Sequence, residues 1–179
     1  MSFANNQVFG DDITVTYGSA VYPLGTERLV LGAQSGVGDQ VWVFVYNSTG
    51  ADYVAGQVLG AKLATTSLGN TIKTVAAATP AVKVVGFAQH VIPGTTTTTS
   101  SGVVTSGPYG WVLKKGIGSV LAGAGAITQD VSIVVDTTTA GAAMDNSVLG
   151  AAQKFDTTIG YAHTSAAAAA LATCYVNVR

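Results

Sequence analysis

Charged side chains are scarce in this sequence: Lys, Arg, Asp and Glu make up 9 % of its 179 residues, against roughly 25 % in an ordinary soluble domain. The net charge is −1, and Lys114 and Lys115 are the only adjacent basic residues. Binding to nucleic acid depends on a basic stripe that displaces counterions, so we expect no nucleic-acid partner. The surface must instead use Thr, Ser, Asn, Gln, Gly and Ala, which suits packing against other protein.

Cysteine is nearly absent, since Cys174 is the only one, and this excludes an intramolecular disulfide framework. We expect Cys174 to be a buried and inert thiol. The first ten residues, MSFANNQVFG, lack the basic and apolar regions of a signal peptide. The small-residue run Ala166–Ala172 is too short to cross a bilayer. The sequence therefore predicts synthesis in a cytoplasm and no membrane partner.

Catalytic and ligand-binding motifs are also missing. His90 and His163 have no HExxH spacing, and no serine lies in a GxSxG elbow. Asp11 and Asp12 are neighbours in an extended segment, where adjacent side chains point to opposite sides. The glycines around Ile117 lack the GxxxxGK[ST] pattern of a phosphate loop. We predict that the protein is not an enzyme and has no cofactor and no metal site.

What the sequence does contain is a series of short apolar stretches separated by Gly-rich turns. Hydrophobic residues make up 48 % of the chain, enough for a core. The pattern predicts an all-β fold, a single barrel or sandwich domain with almost no helix. The candidate strands are Ile13–Tyr17, Glu27–Leu31, Gln40–Tyr46, Val54–Leu59, Asn70–Ala77, Ala81–His90, Asp130–Asp136, Thr158–His163 and Thr173–Val178.

Three local predictions complete this pattern. In Tyr109–Ile127 we expect two short strands about a turn at Lys114-Lys115-Gly116. Val54–Leu59 is predicted to return as a hairpin from the strand Gln40–Tyr46, whose two faces both need cover. Thr137–Gly150 is predicted to be a loop, and Ala propensity favours one or two helical turns over Ser165–Leu171. We assign Trp42, Tyr109, Trp111 and Ile117 to the core or to an oligomer interface.

The chain divides by composition into an N-terminal segment and a barrel-like domain. Residues 1–39 lack strong alternation and are interpreted as an extended arm; the alternative is that they fold back on their own domain as edge strands. Residues 40–179 form the β-domain. Within it, residues 94–107 are a Thr-rich loop that includes Thr95–Thr99, and Val103-Val104 favours a hairpin there.

Two stretches carry a resemblance to a known family. Tyr46–Leu59, YNSTGADYVAGQVL, and Val85–Ala122, with GFAQH before the Thr-rich loop and YGWVLKKGIGSVLAG after it, resemble capsid decoration proteins of tailed bacteriophages, also called head-stabilising or cement proteins. TIGYAH followed by a YVNVR strand is similar to how such chains finish. The resemblance covers about residues 40–179 and leaves the arm outside.

The resemblance implies a β-barrel or β-tulip protomer, usually a homotrimer, on the outer surface of an assembled icosahedral head. It also implies that the arm contacts the major capsid protein, that the protein stabilises the head, and that it is located in the virion. On this hypothesis the arm residues that contact the capsid are Phe3, Asn5, Asn6, Gln7, Val8 and Phe9. The alternatives are another virion component, such as a head fibre or tail protein, and a carbohydrate-binding β module that uses Trp111 and Tyr109.

Overall fold

A computed structural model of the chain describes residues 12–32, 37–61, 71–74, 83–98, 104–136, 138–148 and 158–178. The regular elements among these residues are almost all β-strands, which confirms the predicted fold class. A single 3₁₀ turn, Asn146–Val148, is the exception among the elements assigned in these ranges. The strands are β1 (Glu27–Val30), β2 (Gln40–Asn47), β3 (Val58–Ala61), β4 (Thr71–Thr74), β5 (Val84–Phe87), β6 (Thr97–Thr98), β7 (Val104–Ser106), β8 (Tyr109–Leu121), β9 (Ser132–Val135), β10 (Ala143–Asp145), β11 (Thr158–Ala162) and β12 (Leu171–Asn177).

The long strand β8 joins two halves of one ten-stranded sheet. Its first part pairs antiparallel with β2, from Tyr46 opposite Tyr109 to Val41 opposite Lys115. Its second part pairs antiparallel with β12, as far as Leu171 opposite Leu121. β8 is therefore common to both halves.

The predicted turn at Lys114-Lys115-Gly116 is wrong, because β8 runs through these residues without reversing. On β2, Trp42 pairs with Leu113, and the preceding residue, Val41, pairs with Lys115. Lys114 is thus the extra residue of a β-bulge, and Gly116 follows with a φ of 121°. The bulge and the left-handed glycine bend the strand, so that it leaves one partner and meets another.

The first half is a closed circuit of strands. The pairings run from β2 through β4, β3, β5 and β8 and back to β2. β1 pairs with β2 outside this circuit. The predicted hairpin between β2 and the strand after it is wrong, since β3 pairs with β4 and β5. β2 instead pairs parallel with β4. Gly56, with a φ of 85°, lies in the turn before β3.

The second half continues from β8 through β12, β11 and β9 to β10. β10 lies inside the stretch predicted to be a loop, and its Ala143 forms a bridge with Ala122 just after β8. The predicted helical turns at Ser165–Leu171 are wrong. Ala166 forms a bridge with Ile127, and Ala169 makes a tight turn with a φ of 59° before β12 begins. Such pairing outweighs the weak helix preference of a short Ala run.

Two hydrophobic cores cover the two faces of β2, as its alternation predicts. Val43 and Val45 face the smaller core, inside the first half, with Leu59, Ile92 and Val112. Trp42 and Phe44 face the larger core, which contains side chains from both halves. Its other buried members include Val30, Val58, Phe87, Trp111, Leu113, Val120, Ile127, Ile133, Ile159, Cys174 and Val176.

Residues 12–32 pack on this larger core. The ring of Tyr22 lies 5.4 Å from that of Phe44 and 5.3 Å from that of Trp111, centroid to centroid. Tyr17 exchanges two backbone hydrogen bonds with Tyr109. Of the segment 1–39, these residues and β1 are therefore attached to the domain, and β1 is an edge strand of the sheet. Residues 1–11, with Asp11, lie outside the described residues, as do residues 33–36.

In the Thr-rich stretch, β6 and β7 pair antiparallel, as a hairpin requires; residues 99–103 lie outside the described ranges. The base of this hairpin packs closely against the N-terminal segment. A Cβ added at Gly107 would clash with the backbone of Gly18 and the carbonyl oxygen of Tyr17. In the described ranges, no helix has the length and apolarity that crossing a bilayer requires.

Candidate assembly surface

The structure separates the four residues predicted to pack in the core or an interface. Trp42 and Trp111 are buried, at 4 % and 2 % exposed. Tyr109 is half-buried and its ring lies 4.8 Å from that of Tyr46. Ile117 is half-buried on the outer side of the second half. Because the Trp111 ring lies inside the core, it offers no face on which a sugar could stack. The predicted capsid contacts Phe3, Asn5, Asn6, Gln7, Val8 and Phe9 lie outside the described residues.

The ionisable side chains do not converge on a catalytic arrangement in the described ranges. There, no three His, Cys, Asp or Glu lie close enough together to hold a metal ion. His90 is partly buried, and its two ring nitrogens are shielded without a hydrogen-bond partner among these residues. Burial lowers the pKa of His90, and the Asp12 carboxylate opposes this effect. Burial raises the pKa of the Cys174 thiol to about 12, so it stays protonated and unreactive at neutral pH.

The buried carboxylates hold turns in place. Asp136 accepts hydrogen bonds from the backbone N–H groups of Thr138, Thr139 and Ala124. Burial pushes the pKa of Asp136 up, but these bonds and the one from the Thr138 hydroxyl outweigh it and hold the pKa below its usual value. Asp145 accepts bonds from the backbone N–H and the hydroxyl of Thr128. These groups are satisfied inside the protein and are not presented to a ligand.

The second half carries a row of half-buried and exposed side chains across four strands. Ile117 on β8 pairs with Tyr175 on β12, Tyr175 pairs with Tyr161 on β11, and Tyr161 pairs with Ser132 on β9. Directly paired residues project from the same side of a sheet. We call this side of β8, β12, β11 and β9 the tyrosine face.

The tyrosine face is the outer side of the sheet, because the alternate residues are in the core. Cys174 and Val176 are 0 % exposed, whereas Tyr161 is 58 % exposed and Leu171 is 49 % exposed. Thr173 and Asn177 are exposed on the same side as Tyr175. The central row of this surface is uncharged and partly aromatic, as in the core of a protein–protein interface, where charged residues are depleted and Tyr is enriched.

Side-chain amides close the edge of β8 beside this face. The Oε1 atom of Gln89 accepts a hydrogen bond from the Ser119 N–H at 2.7 Å, and its Nε2 atom donates to the Ser119 carbonyl at 2.9 Å. Gln40 Nε2 donates to the Ile117 carbonyl at 2.7 Å. The Gly56 carbonyl accepts from the Leu121 N–H at 2.8 Å. Because these bonds occupy the edge, a partner would meet the face through its side chains and not by adding a strand to β8.

Other exposed aliphatic side chains lie in the first half. Leu29 is 59 % exposed and Leu31 is 52 % exposed, on and just after β1, and Val37 is 44 % exposed. Val54 and Val91 are 45 % and 52 % exposed on either side of the bridge between Tyr53 and Ile92. Single exposed aliphatic residues are common on protein surfaces. The tyrosine face differs in being a continuous, register-aligned row.

From the sequence, Ile117 was assigned to the core or to an oligomer interface, and Tyr175 and Leu171 were not identified. The alternation in LATCYVN does place Thr173, Tyr175 and Asn177 on one side and Cys174 and Val176 on the other. That signal finds the two sides of β12. It does not reveal that Ile117 and Tyr161 are the cross-strand neighbours of Tyr175, because register depends on long-range pairing.

Comparison with known proteins gives distant likenesses. No protein-family model matches the chain, and no curated protein matches it. The fold is similar to the N base of the head fibre gp8.5 of bacteriophage phi29, with a TM-score of 0.45 and 14 % identity over 77 % of this chain and 94 % of that one. It is also similar to the capsid of Myoviridae phage XM1, with a TM-score of 0.46 and 17 % identity over 99 % of this chain and 98 % of that one. At these TM-scores and identities, neither likeness by itself assigns a function to this chain.

Proposed function

We propose that this protein is a non-enzymatic structural component of a tailed-phage virion, a capsid decoration protein that binds the outer surface of the assembled head and stabilises it. The observation that carries the proposal is the tyrosine face, an outward-facing surface with an uncharged central row that is held on four paired strands. The resemblance of residues 40–179 to decoration proteins supports the same function. The major capsid protein is then the partner, and a homotrimer is the expected oligomer.

The physical properties of the surface suit this role. A decoration protein makes the same modest contact many times over a shell, so the combined binding is strong even when each contact is weak. Because the central row of the face, Ile117, Tyr175 and Tyr161, has no charged side chain, contact with protein there does not bury an unpaired charge. A protein that binds only the assembled head shifts the equilibrium away from disassembly by mass action.

In this proposal the N-terminal residues add a second contact. Met1–Phe9 are the first-choice contacts with the capsid, with Phe3 and Phe9 as apolar anchors. The chain after them is attached to the domain through Tyr17 and Tyr22, which pack on the larger core. An arm fixed at that point would bind the shell while the β-domain keeps its fold.

Immunogold labelling of virions tests the proposal directly. Antibody raised against the purified chain is applied to particles purified from the source of the sequence, with pre-immune serum as the control. We expect label distributed over the whole head surface. Heads stripped of the protein should lose their DNA at a lower temperature than heads to which it has been added back, because mass-action stabilisation is lost.

Other labelling patterns would contradict a decoration role. Label at a few points on the head would favour a head fibre, and label on the tail would favour a tail component. Unlabelled virions would contradict a virion function. A glycan array read by binding of the labelled protein would then test the carbohydrate-binding alternative, through Tyr161 since Trp111 is buried.

A further inference from the structure

We propose that the tyrosine face is a self-association surface, and that its partner is the tyrosine face of a second copy of this chain. The inference deepens the proposed function and rests on it, because a shell is what would bring many copies side by side. It names a two-fold contact. A homotrimer needs a different, head-to-tail surface on each copy, so the two kinds of contact are independent.

The chemistry of the face favours its own copy as the partner. Its central row, Ile117, Tyr175 and Tyr161, is apolar and aromatic, and Thr173 and Asn177 beside it are neutral hydrogen-bonding residues. In an isologous contact the same patch meets itself, so any charge within it would be brought close to a like charge. The central row avoids that repulsion, and Lys115, which is paired with Asn177 on the same side, lies at a corner of the face.

Charged residues border the face at opposite corners. Lys115 is exposed where β8 pairs with Asn177, at one end of β12. Asp130 is exposed beyond the other end, next to β9, where its N–H donates to the Ala162 carbonyl. Consider a two-fold axis that lies in the plane of the face and runs between its other two corners. Such an axis brings the Lys115 corner of one copy toward the Asp130 corner of its partner. Opposite charges at such a rim fix orientation more than they add affinity.

The size of the face sets the strength of the contact. β12 and the paired part of β8 are seven residues long, β11 has five residues and β9 has four, so the face covers roughly 350 Å² from the strand spacing and the rise per residue. A stable interface buries about 800 Å² per partner. We therefore expect weak association of the free protein, with a dissociation constant of about 10⁻⁵ to 10⁻³ M. On a shell, the high local concentration of copies would allow the same weak contact to form between neighbouring copies.

Sedimentation velocity of the full chain, without any head, tests the inference. The mass at about 1 μM defines the smallest species, and we expect it to double on raising the concentration toward about 1 mM. Tyr161→Lys and Thr173→Lys each place a charge in the face, and each should weaken the doubling at least about tenfold. Val91→Lys is the matched control, because Val91 lies in the first half and is 52 % exposed, close to the 58 % of Tyr161. This variant should associate like the parent chain.

Two results would overturn the inference. One is a mass that does not change up to about 1 mM, the range in which a face of this size should act. The other is doubling that survives both lysine substitutions, which would place the contact elsewhere on the protein. Melting curves of the variants check that they are folded. Because no head is present, either result leaves the head-labelling experiment unaffected.

Discussion

Asn47 is the last residue of β2, and the nitrogen and the oxygen of its buried side-chain amide both form hydrogen bonds. Its Nδ2 donates to the carbonyl oxygens of Ala51, Ile92 and Pro93, at 2.8, 3.0 and 3.2 Å. Its Oδ1 accepts hydrogen bonds from the N–H and the hydroxyl of Thr49. The residue thus ties the turn after β2 to the segment at Ile92 and Pro93, with no exposure to solvent.

Asn47→Asp should therefore destabilise the protein strongly although the side chain keeps its shape. The new carboxylate would face carbonyl oxygens that need a donor, in a site closed to bulk solvent. We expect a loss of about 2–4 kcal/mol in the free energy of unfolding, measured by urea denaturation at pH 7. Asn177→Asp makes the same change at an exposed position and should cost less than about 0.5 kcal/mol. Equal losses in the two variants would contradict the role given to Asn47.

Gly123 is required by its neighbour Asp136. A Cβ added at Gly123 would lie 1.6 Å from Asp136 Oδ2, whereas one added at Gly125 would meet nothing within 4 Å. Gly123→Ala must displace the carboxylate from the N–H groups it accepts from, and we expect it to cost about 1–3 kcal/mol in unfolding free energy. Gly125→Ala, two residues away, should be within about 0.5 kcal/mol of the parent.

A double-mutant cycle separates this clash from other effects of alanine. If the carboxylate is the cause, Gly123→Ala should cost at least about 1 kcal/mol less in an Asp136→Ala background than in the parent chain. Additive losses would show that the glycine is needed for a reason other than Asp136.

At the scale of elements, β8 depends on two glutamines for part of its pairing. Gln89 supplies both a donor and an acceptor to Ser119 and so substitutes for a peptide group of a neighbouring strand. Gln89→Glu keeps the acceptor but loses the donor, and it places a carboxylate against the Ser119 carbonyl. We expect a loss of about 1–3 kcal/mol in stability and faster hydrogen exchange of the Ser119 amide, followed by NMR. Gln129→Glu, at an exposed site, should leave both quantities unchanged; similar exchange in both variants would argue against this role of Gln89.

Several elements could be predicted from sequence because their signal is local. The alternation in QVWVFVY defines β2 and requires cover on both sides, and two cores provide it. The Lys-Lys-Gly stretch was mistaken for a turn because a bulge and a turn use the same residues, polar side chains beside a left-handed glycine. Only the pairing of Val41 and Trp42 on the opposite strand distinguishes the two.

The pairing of distant strands was not predictable in this way. β3 follows β2 closely, which favours a hairpin, yet β3 pairs with β4 and β5. The tyrosine face has the same origin, since Ile117, Tyr175 and Tyr161 are neighbours only through register. Side-chain alternation determines which residues share a side of one strand, but it carries no information about which strand lies alongside.

For the whole molecule, the burial of His90 predicts acid sensitivity. Its pKa is lowered in the folded protein, while in the unfolded chain it titrates near its ordinary value of about 6.5. Below that value the unfolded chain binds more protons, so stability is complete above about pH 6.5 and is lost as the pH falls. Asp136 also makes the protein less stable on acidification, but at lower pH. Its pKa is lowered in the folded protein, so its contribution to stability is lost around and below about pH 3.8.

Urea denaturation between pH 8 and 5 measures the first of these losses. We expect the midpoint to fall as the pH drops below about 6.5 and His90→Gln to flatten this dependence, because glutamine does not titrate in that range. His163→Gln is the matched control, since His163 is exposed, and should keep the slope of the parent. An unchanged slope in His90→Gln would assign the acid sensitivity to other groups.

The N-terminal residues give a prediction for the assembled particle. Deleting Met1–Gly10 removes the proposed arm contacts and leaves Tyr17 and Tyr22 on the core. We expect the truncated protein to melt at the same temperature as the full chain and to bind heads more weakly, measured by co-sedimentation with heads stripped of the protein. Unchanged co-sedimentation would remove the arm from the proposed function.

The sharing of β8 between two halves also has a consequence during synthesis. β2 and β5 precede β8 and can pair with it at once, but β12 is made about 50 residues later, which takes roughly 2 to 10 seconds on a ribosome. During that interval Ile117–Leu121 has no β12 beside it, and the larger core on its inner side lacks the Cys174 and Val176 side chains. Gln40 and Gln89 are already available to hold one edge of the waiting strand. The nascent chain is thus most open to misassembly over one short, glycine-containing stretch whose other edge is already protected by two neutral amides.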